Sequence, residues 1–379
     1  MDNLTHSLVG LTAAKAGLER LSPGATALCI LAANAPDSDI VVLLFGDRWD
    51  FLQHHRGITH SLVGTAFLAL LLPLLFYGVD RLWARIRQRA PQTNLRGLLI
   101  ASFIVSATHP LLDWTNNYGI RFLLPWNPRW FYGDLVFIVD PFLWLILGGA
   151  AFLLASKTKI SKFVWGLVAA IITYVIVAGP RGSGLPNGVG IVWIIGLLVI
   201  VVLYLMSARE RWDERIAFAS FALVLVYSTA LGFAHARALD RGREEAQKIV
   251  APKGETVARI AAMPTLANPF RWDCVFETDQ ATYRFRIALN GQTPSGVIRY
   301  PKPSGELAAA LQAVSQEKPA HVFLGFARFP VARLTDPSCT TQTLVQLADL
   351  RYTEPGTSRG TFALELPVDC PDQTAVEGR

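Results

Sequence analysis

Long apolar runs without a single charge constrain this chain more than any other feature. Residues 61–79 are 19 consecutive uncharged residues, which as an α-helix would be about 28 Å long at 1.5 Å per residue. That length fits a bilayer hydrocarbon core of about 30 Å. Six runs of similar length and apolar content predict membrane spans, at Ser61–Val79, Gly97–Leu112, Leu135–Ala155, Phe163–Gly179, Val189–Ser207 and Ile216–Ala236; of these, Leu135–Ala155 carries one charge, at Asp140.

Two weaker apolar segments, residues 4–21 and 25–35, precede these runs. The first carries charges and the second is short, so we expect a helical hairpin that enters the membrane from one side. The sequence therefore predicts a mainly α, polytopic membrane bundle of about six full spans plus this hairpin. Charged residues make up 17% of the chain against about 25% in soluble domains, which excludes a soluble globular protein.

The basic residues predict the orientation of the bundle. Segments 80–96, 156–162 and 208–215 carry eleven Lys and Arg residues, and the opposite connections, 46–59, 113–134 and 180–188, carry five. The positive-inside rule places the first set in the cytoplasm and the second set in the periplasm of a bacterial inner membrane. The net charge of +6 follows from this topology, and no nucleic-acid partner is expected.

The C-terminal tail differs from the bundle in composition. We expect an N-terminal hairpin and metal-motif segment at residues 1–60, a transmembrane bundle at 61–238 and a small strand-rich domain at 239–379, in the periplasm. Strand composition occurs in four short runs, at Cys274–Glu277, Thr282–Leu289, His321–Ala327 and Thr361–Leu366. Among Cys274, Cys339 and Cys370 one disulfide is expected, with the pairing left open.

A hexapeptide, Thr-His-Ser-Leu-Val-Gly, occurs twice, at residues 5–10 and 59–64. In both copies the threonine is placed to cap the N-terminus of an apolar helix, so that His6 and His60 would lie in a first helical turn at the membrane surface. Two similar helix starts with merely interfacial histidines are the alternative. Other ionisable residues gather in the same layer, which favours a site because such groups are costly at membrane depth.

Those further residues predict a metal site. His109 and Asp113 are spaced i, i+4, so both face the same way on a helix. Asp37 and Asp39 follow Pro36, which predicts an extended turn with the two carboxylates pointing in opposite directions. The predicted ligands are His6, Asp37, His55, His60, His109 and Asp113. Histidine and aspartate without cysteine suit a divalent ion such as Zn²⁺ or Mn²⁺.

These motifs resemble a family of bacterial membrane-bound, metal-dependent hydrolase-like proteins, the YdjM-like proteins. The matching segments are residues 1–7, 36–39, 55–61, 109–114, 118–119 and 139–141, and the likeness covers about residues 1–145. The order His6, Asp37 or Asp39, His60, then His109 and Asp113 is distantly similar to the ligand order of zinc phospholipase C and the S1/P1-type nucleases. That likeness implies zinc. Those enzymes hold a further metal with a later His and a His-x-x-x-Glu motif, whereas neither His235 nor His321 is followed by Glu four residues on, so one or two ions are expected rather than three.

The resulting hypothesis is an inner-membrane hydrolase in which a metal-activated water attacks a phosphoester or lipid-like substrate at the outer face of the membrane. Asp37 would bind the metal and Asp39 would be the base or a second-metal ligand. Arg56 would hold an anionic group such as a phospholipid phosphate, or else be an interfacial anchor or a partner of Asp47 or Asp50. The alternative function is a non-catalytic, metal-stabilised membrane scaffold or sensor.

Overall fold

The computed structural model describes residues 1–178, 187–336, 342–357, 360 and 362–369. Helices form most of the first 250 residues, as the apolar runs predict. They are α1 (Asn3–Lys15), α2 (Ala25–Asn34), α3 (Arg48–His54), α4 (Leu62–Ile86), α5 (Leu95–Trp114), α6 (Pro141–Ala155), α7 (Lys159–Ala178), α8 (Asn187–Leu205), α9 (Ala208–Trp212) and α10 (Glu214–Val250). A 3-10 helix, Ala35–Leu44, continues α2.

Six helical segments in the described residues are long and apolar enough to cross a membrane, so the predicted number of spans is confirmed. They are Ala25–Leu44, Leu62–Ile86, Leu95–Trp114, Lys159–Val177, Gly188–Leu205 and Glu214–Lys253. One predicted span, Leu135–Ala155, is wrong. Its helix α6 begins only at Pro141, because the Asp140 carboxylate caps the amides of Phe142 and Leu143, and 15 residues are too few.

The sixth segment is Ala25–Leu44, which the sequence assigns to the hairpin rather than to a full span. The weak apolar run 25–35 is extended by Ile40 to Leu44, which lie beyond the Asp-rich stretch. Two aspartates interrupt the apolar pattern here without ending the helical backbone.

The chain divides into two compact units. The first consists of Met1–Asp39, Arg56–His235 and Pro264–Pro269, and the second of Ile40–His55, Ala236–Met263 and Phe270–Arg379. In the first unit, α1, α2 and α5 pack through small side chains, including Ala13, Ala32, Ala33 and Ala101. Small residues at a helix interface let membrane helices approach closely.

The glycine that ends each hexapeptide is required by such close approaches. A Cβ atom on Gly10 would lie 2.6 Å from the carbonyl oxygen of Cys29, and one on Gly64 would lie 1.8 Å from that of Ile58. Both distances are shorter than any tolerated contact, so the repeat has a structural cause at its last position.

The second unit contains the strand-rich tail, which is confirmed. One sheet has the order β1 (Val257–Thr265), β2 (Asn268–Thr278), β3 (Ala281–Ala288), β4 (Ser295–Pro301), and the other the order β5 (Pro330–Leu334), β6 (Gln342–Asp349), β7 (Ala363–Asp369). Each pairing from β2 to β4 and from β5 to β7 is antiparallel. Two helices, α11 (Gly305–Val314) and α12 (Lys318–Phe326), lie between the sheets in sequence.

The predicted strand His321–Ala327 is wrong, because these residues belong to α12. Pro319 lies in the first turn of that helix, where its missing N–H is no loss. Val322, Phe323 and Phe326 are buried, a helical spacing that alternation of strand residues does not produce. Cys274 is a buried free thiol, and Cys339 and Cys370 lie outside the described residues.

Candidate metal centre

Four segments of the first unit bring the predicted ligands together. His6 lies near the start of α1, Asp37 in the 3-10 helix after α2, and His60 in a short 3-10 turn before α4. His109 and Asp113 lie near the C-terminal end of α5. The i, i+4 pair acts as expected, with His109 Nε2 3.4 Å from Asp113 Oδ2.

Asp37, His60, His109 and Asp113 form the tightest group, with one ligand atom from each within 4.8 Å of the others. His60 Nε2 lies 3.2 Å from Asp37 Oδ1 and 3.4 Å from Asp113 Oδ2. His109 Nε2 lies 3.7 Å from Asp37 Oδ1. The two imidazoles thus point their Nε2 atoms at the same two carboxylates.

These separations fit a metal ion. Ligands bound at about 2.0–2.2 Å to one tetrahedral ion are themselves about 3.3–3.6 Å apart, close to the distances above. Both ring nitrogens of His6 and the Nε2 of His109 are buried without a hydrogen-bond partner. Buried polar atoms rarely remain unpaired, so the residues present fit a divalent cation that would satisfy them.

Hydrogen bonds fix which nitrogen of each ring faces the group. His109 Nδ1 lies 2.6 Å from the carbonyl oxygen of Ala33, to which it donates, leaving a lone pair on Nε2. On the far side of the His60 ring, Nδ1 lies 3.0 Å from the Thr59 hydroxyl and 3.4 Å from Asp39 Oδ2. Carboxylates and carbonyls in these positions orient ligand imidazoles and raise their basicity.

His6 completes the histidine set. Its ring stacks on that of His109, with centroids 3.8 Å apart, and its Nε2 lies 3.4 Å from Asp113 Oδ1. Its side chain is fully buried, and only a neutral imidazole keeps a lone pair for a metal ion.

Asp113 is the common partner of the whole group. Besides the histidines, its Oδ1 accepts hydrogen bonds from the N-terminal amine of Met1 and from Arg56 Nη2, the latter at 3.1 Å. Its side chain is 1% exposed. One carboxylate therefore faces the cluster with Oδ2 and two cationic groups with Oδ1.

Arg56 is buried rather than interfacial. Its Nη1 donates to Asn116 Oδ1 at 2.8 Å and to the carbonyl oxygens of Asp113 and Gly119, and its guanidinium lies over the Tyr118 ring. Its φ of +52° is rare for a non-glycine residue. In the described residues the guanidinium pairs with Asp113, not with Asp47 or Asp50. These contacts favour a role in holding Asp113, and the phosphate-binding role stays a prediction.

Two local predictions are wrong. Neither Thr5 nor Thr59 caps a helix: Asp2 caps α1 and Ser61 caps α4, through bonds to the amides of Thr5 and Gly64. In both helices the side-chain oxygen of the cap lies three residues before the amide that it accepts from, which is the usual arrangement. The stretch after Pro36 is also not extended but a 3-10 helix. Even so, Asp37 and Asp39 approach opposite nitrogens of His60.

His55 lies outside this group. It follows α3 in the second unit and stacks on Phe51 with ring centroids 4.6 Å apart. Its role as a metal ligand stays a prediction. The contributions of the Met1 amine and of Asn116 are absent from the sequence prediction, since neither has a motif that marks it.

Comparisons with known proteins agree with the resemblance noted above. Residues 1–182 match the model of the family "YdjM inner membrane protein". The chain is 26% identical over 155 residues to the "Uncharacterized protein YfhP" of Bacillus subtilis (strain 168), covering 38% of this chain and 43% of that protein. It is 27% identical over 172 residues to the "Inner membrane protein YbcI" of Escherichia coli (strain K12), covering 43% of this chain and 88% of that protein. No solved structure matches the chain significantly.

The chain thus spans less than half the length of the first of these relatives. The family match ends at residue 182, so it includes every residue of the cluster and none of the tail.

Proposed function

We propose that this multi-pass inner membrane protein, whose residues 1–182 match the YdjM inner membrane protein family, is a metal-dependent hydrolase. The observation that carries the proposal is the convergence of Asp37, His60, His109 and Asp113 from distant parts of the chain. Such buried ionisable groups at membrane depth are costly and generally mark function.

His60, His109, Asp37 and Asp113 would hold the ion, with His6 as a further nitrogen donor. Nitrogen and carboxylate donors at these spacings suit Zn²⁺. A divalent ion supplies an acidified water at neutral pH and polarises a phosphoryl or carbonyl oxygen. Asp37 is the most accessible member, at 15% exposed, so substrate would approach from its side.

The substrate is proposed to be a phosphoester or a lipid-like molecule at the outer membrane face. The cluster lies where α1 and α4 begin and α5 ends, which is one end of the membrane helices rather than their midpoint. The excess of Lys and Arg in segments 80–96, 156–162 and 208–215, at the other end of the helices, supports the periplasmic side for this end, and for the tail. A bilayer lipid headgroup would therefore be within reach of Asp37.

The sequence assigns Asp39 as the base. Its carboxylate accepts from the backbone amide of Arg56 at 3.0 Å and lies beside Nδ1 of His60, on the side of the ring away from the Asp37 carboxylate. This position favours orientation of His60 over proton transfer.

The direct test is turnover by detergent-purified, full-length protein. Wild type loaded with Zn²⁺ or Mn²⁺ is expected to hydrolyse at least one member of a panel of phosphodiesters and phospholipids, and His60→Ala is expected to hydrolyse none. His321→Ala is the matched control, because His321 is exposed on α12 in the second unit. Equal residual turnover in wild type and His60→Ala would reject the hydrolase.

The alternative is a metal-stabilised scaffold or sensor without turnover. It is favoured by one observation: His6, His60 and His109 are fully buried and Asp113 is nearly so, as in structural metal sites that admit no substrate. Retained metal, absent turnover across the panel and a lower unfolding temperature after chelation would together support this second function.

A further inference from the structure

An apolar groove lies among α6, α7 and α8 of the first unit. Its volume is about 340 Å³, within the range of small-molecule sites. Small side chains on two of the helices leave the space that forms the groove, namely those of Gly148, Gly149, Gly166 and Ala169. The groove runs from Lys162 and Tyr204 at one end to Ile172 and Trp193 at the other, about 15 Å along α7 at 1.5 Å per residue.

The groove lies at membrane depth. Two of its walls are the membrane-crossing segments Lys159–Val177 and Gly188–Leu205. Its lining is almost entirely apolar, and a cavity with such walls does not hold water. The surrounding bilayer is therefore the source of whatever fills it, and the shape that a bilayer offers is a hydrocarbon chain.

A single charged side chain is part of this lining. Lys162 Nζ lies 2.6 Å from the Tyr204 hydroxyl and 5.0 Å from the centre of its ring. Among the residues that the structure describes, Lys162 has no carboxylate within ion-pair distance. Lys157 and Lys159, both exposed, belong to the same connection between α6 and α7. Lys162, at the cationic end of the groove, thus lacks a counter-charge from the part of the chain that the structure describes.

We propose that the groove binds one acyl chain of an anionic phospholipid, with the lipid phosphate against Lys162. Cations next to membrane helices attract anionic headgroups. The apolar walls of the groove would pack against the acyl chain in place of other lipids. This lipid would be resident rather than a substrate. Its phosphate would lie near the C-terminal end of α6, whereas Asp140 caps the N-terminal end of that helix. The inference is independent of the proposed hydrolase.

Two glycines provide a matched test. A Cβ atom added at Gly166, which lines the groove, or at Gly78, which is on α4 and does not, meets no atom within 4 Å. Both glycines are exposed on membrane helices, so leucine fits at either position without a backbone clash. Only Gly166→Leu would occupy the groove. Lys162→Gln removes the charge and leaves the groove open.

The experiment counts bound lipids by native mass spectrometry on full-length protein from nanodiscs of equal phosphatidylglycerol and phosphatidylcholine. Wild type and Gly78→Leu are expected to retain one phosphatidylglycerol per protein, and Gly166→Leu to lose retention of both lipids. Lys162→Gln should reduce the preference for phosphatidylglycerol about fivefold, the discrimination of one cation near a membrane surface. Gly166→Val replaces Gly166→Leu if the latter is not monodisperse. Retention in the groove variant equal to that of Gly78→Leu, or an unchanged preference in Lys162→Gln, would overturn the proposal.

Discussion

The imidazole rings of His6 and His109 are stacked face to face with their centroids 3.8 Å apart, although one ring comes from the start of α1 and the other from α5. Two protonated rings at this distance would repel each other strongly in a buried site. The stacking therefore disfavours two protonated rings, and a metal ion binds the neutral form of imidazole. The stacking makes the two helices share one site.

Removal of a ligand imidazole should empty the site. We expect His60→Ala and His109→Ala each to lower the metal content of purified protein by at least about tenfold, because each Nε2 lies against both Asp37 and Asp113. His321→Ala should leave the metal content unchanged. Metal analysis by plasma mass spectrometry checks this, and equal metal in wild type and both ligand variants would contradict the site.

Substitution of Asp39 and of Asp37 should weaken metal binding to different extents. Asp39→Asn is expected to weaken metal binding about 10–100-fold, as loss of a carboxylate that orients a ligand histidine does, because it contacts His60 from the Nδ1 side. Asp37→Asn should abolish binding. Titration of apo-protein with Zn²⁺ measures both. Intact binding in Asp39→Asn with turnover reduced 10²–10⁴-fold would instead establish Asp39 as the general base.

Arg56 should matter for stability. Arg56→Gln leaves the buried Asp113 carboxylate with one fewer cation, and removal of one partner of a buried ion pair costs about 3–5 kcal/mol. We expect a clearly lower unfolding temperature in detergent. Arg129→Gln is the control, since Arg129 is exposed in the connection before α6. Similar unfolding temperatures for the two variants would show that Arg56 does not hold Asp113.

The orientation of the bundle can be tested with single cysteines. Asp134 is buried, so Trp126, which is 78% exposed in the same connection, is the better labelling position. In a background in which the four native cysteines are replaced by serine, Trp126→Cys should react with a membrane-impermeant maleimide in cells whose outer membrane alone is permeabilised, and Arg85→Cys and Lys159→Cys should not. The reverse pattern would place the metal cluster and the tail in the cytoplasm.

The tail should lose stability in acid through Glu255. Burial raises the pKa of Glu255, but hydrogen bonds from Thr278, Tyr283 and Arg299 outweigh burial and hold the pKa below its usual 4.5. The stabilisation is therefore present above pH 4.5 and is lost as the pH falls through the lowered value. Glu255→Gln should be less stable than wild type at pH 7, with the difference shrinking in acid, whereas Glu306→Gln, on exposed α11, should match wild type at both pH values. Thermal unfolding of the full chain measures this.

The sequence predicts the spans and most of the cluster because both depend on local patterns. Apolar runs set the helices, and the i, i+4 spacing of His109 and Asp113 sets their common direction. The repeated hexapeptide adds His6 and His60, and the aspartate pair after Pro36 adds Asp37. These residues come together through helix packing that depends on alanines and on Gly10, which carry no chemical signature of a site.

The errors have physical causes of the same kind. Thr5 and Thr59 are residue types that commonly cap helices, but the actual caps are Asp2 and Ser61. Helix α1 begins earlier, and helix α4 later, than the hexapeptide predicts. The segment 321–327 is apolar enough for a strand, and only its spacing and Pro319 favour the helix. The partners of Arg56 lie about 60 residues further along the chain, and no local pattern predicts such contacts.

Asp113 also bears on the order of biosynthesis. Met1, Arg56, His60 and His109 all leave the ribosome before the carboxylate that joins them, so the amine and the guanidinium lack their Asp113 partner until α5 has been made. Asp113 is the last of these groups to be made, so the cluster is completed late in the assembly of the N-terminal region. For the metal site proposed above, uptake is therefore expected only after α5 has been inserted, so the ion would not be needed to start insertion.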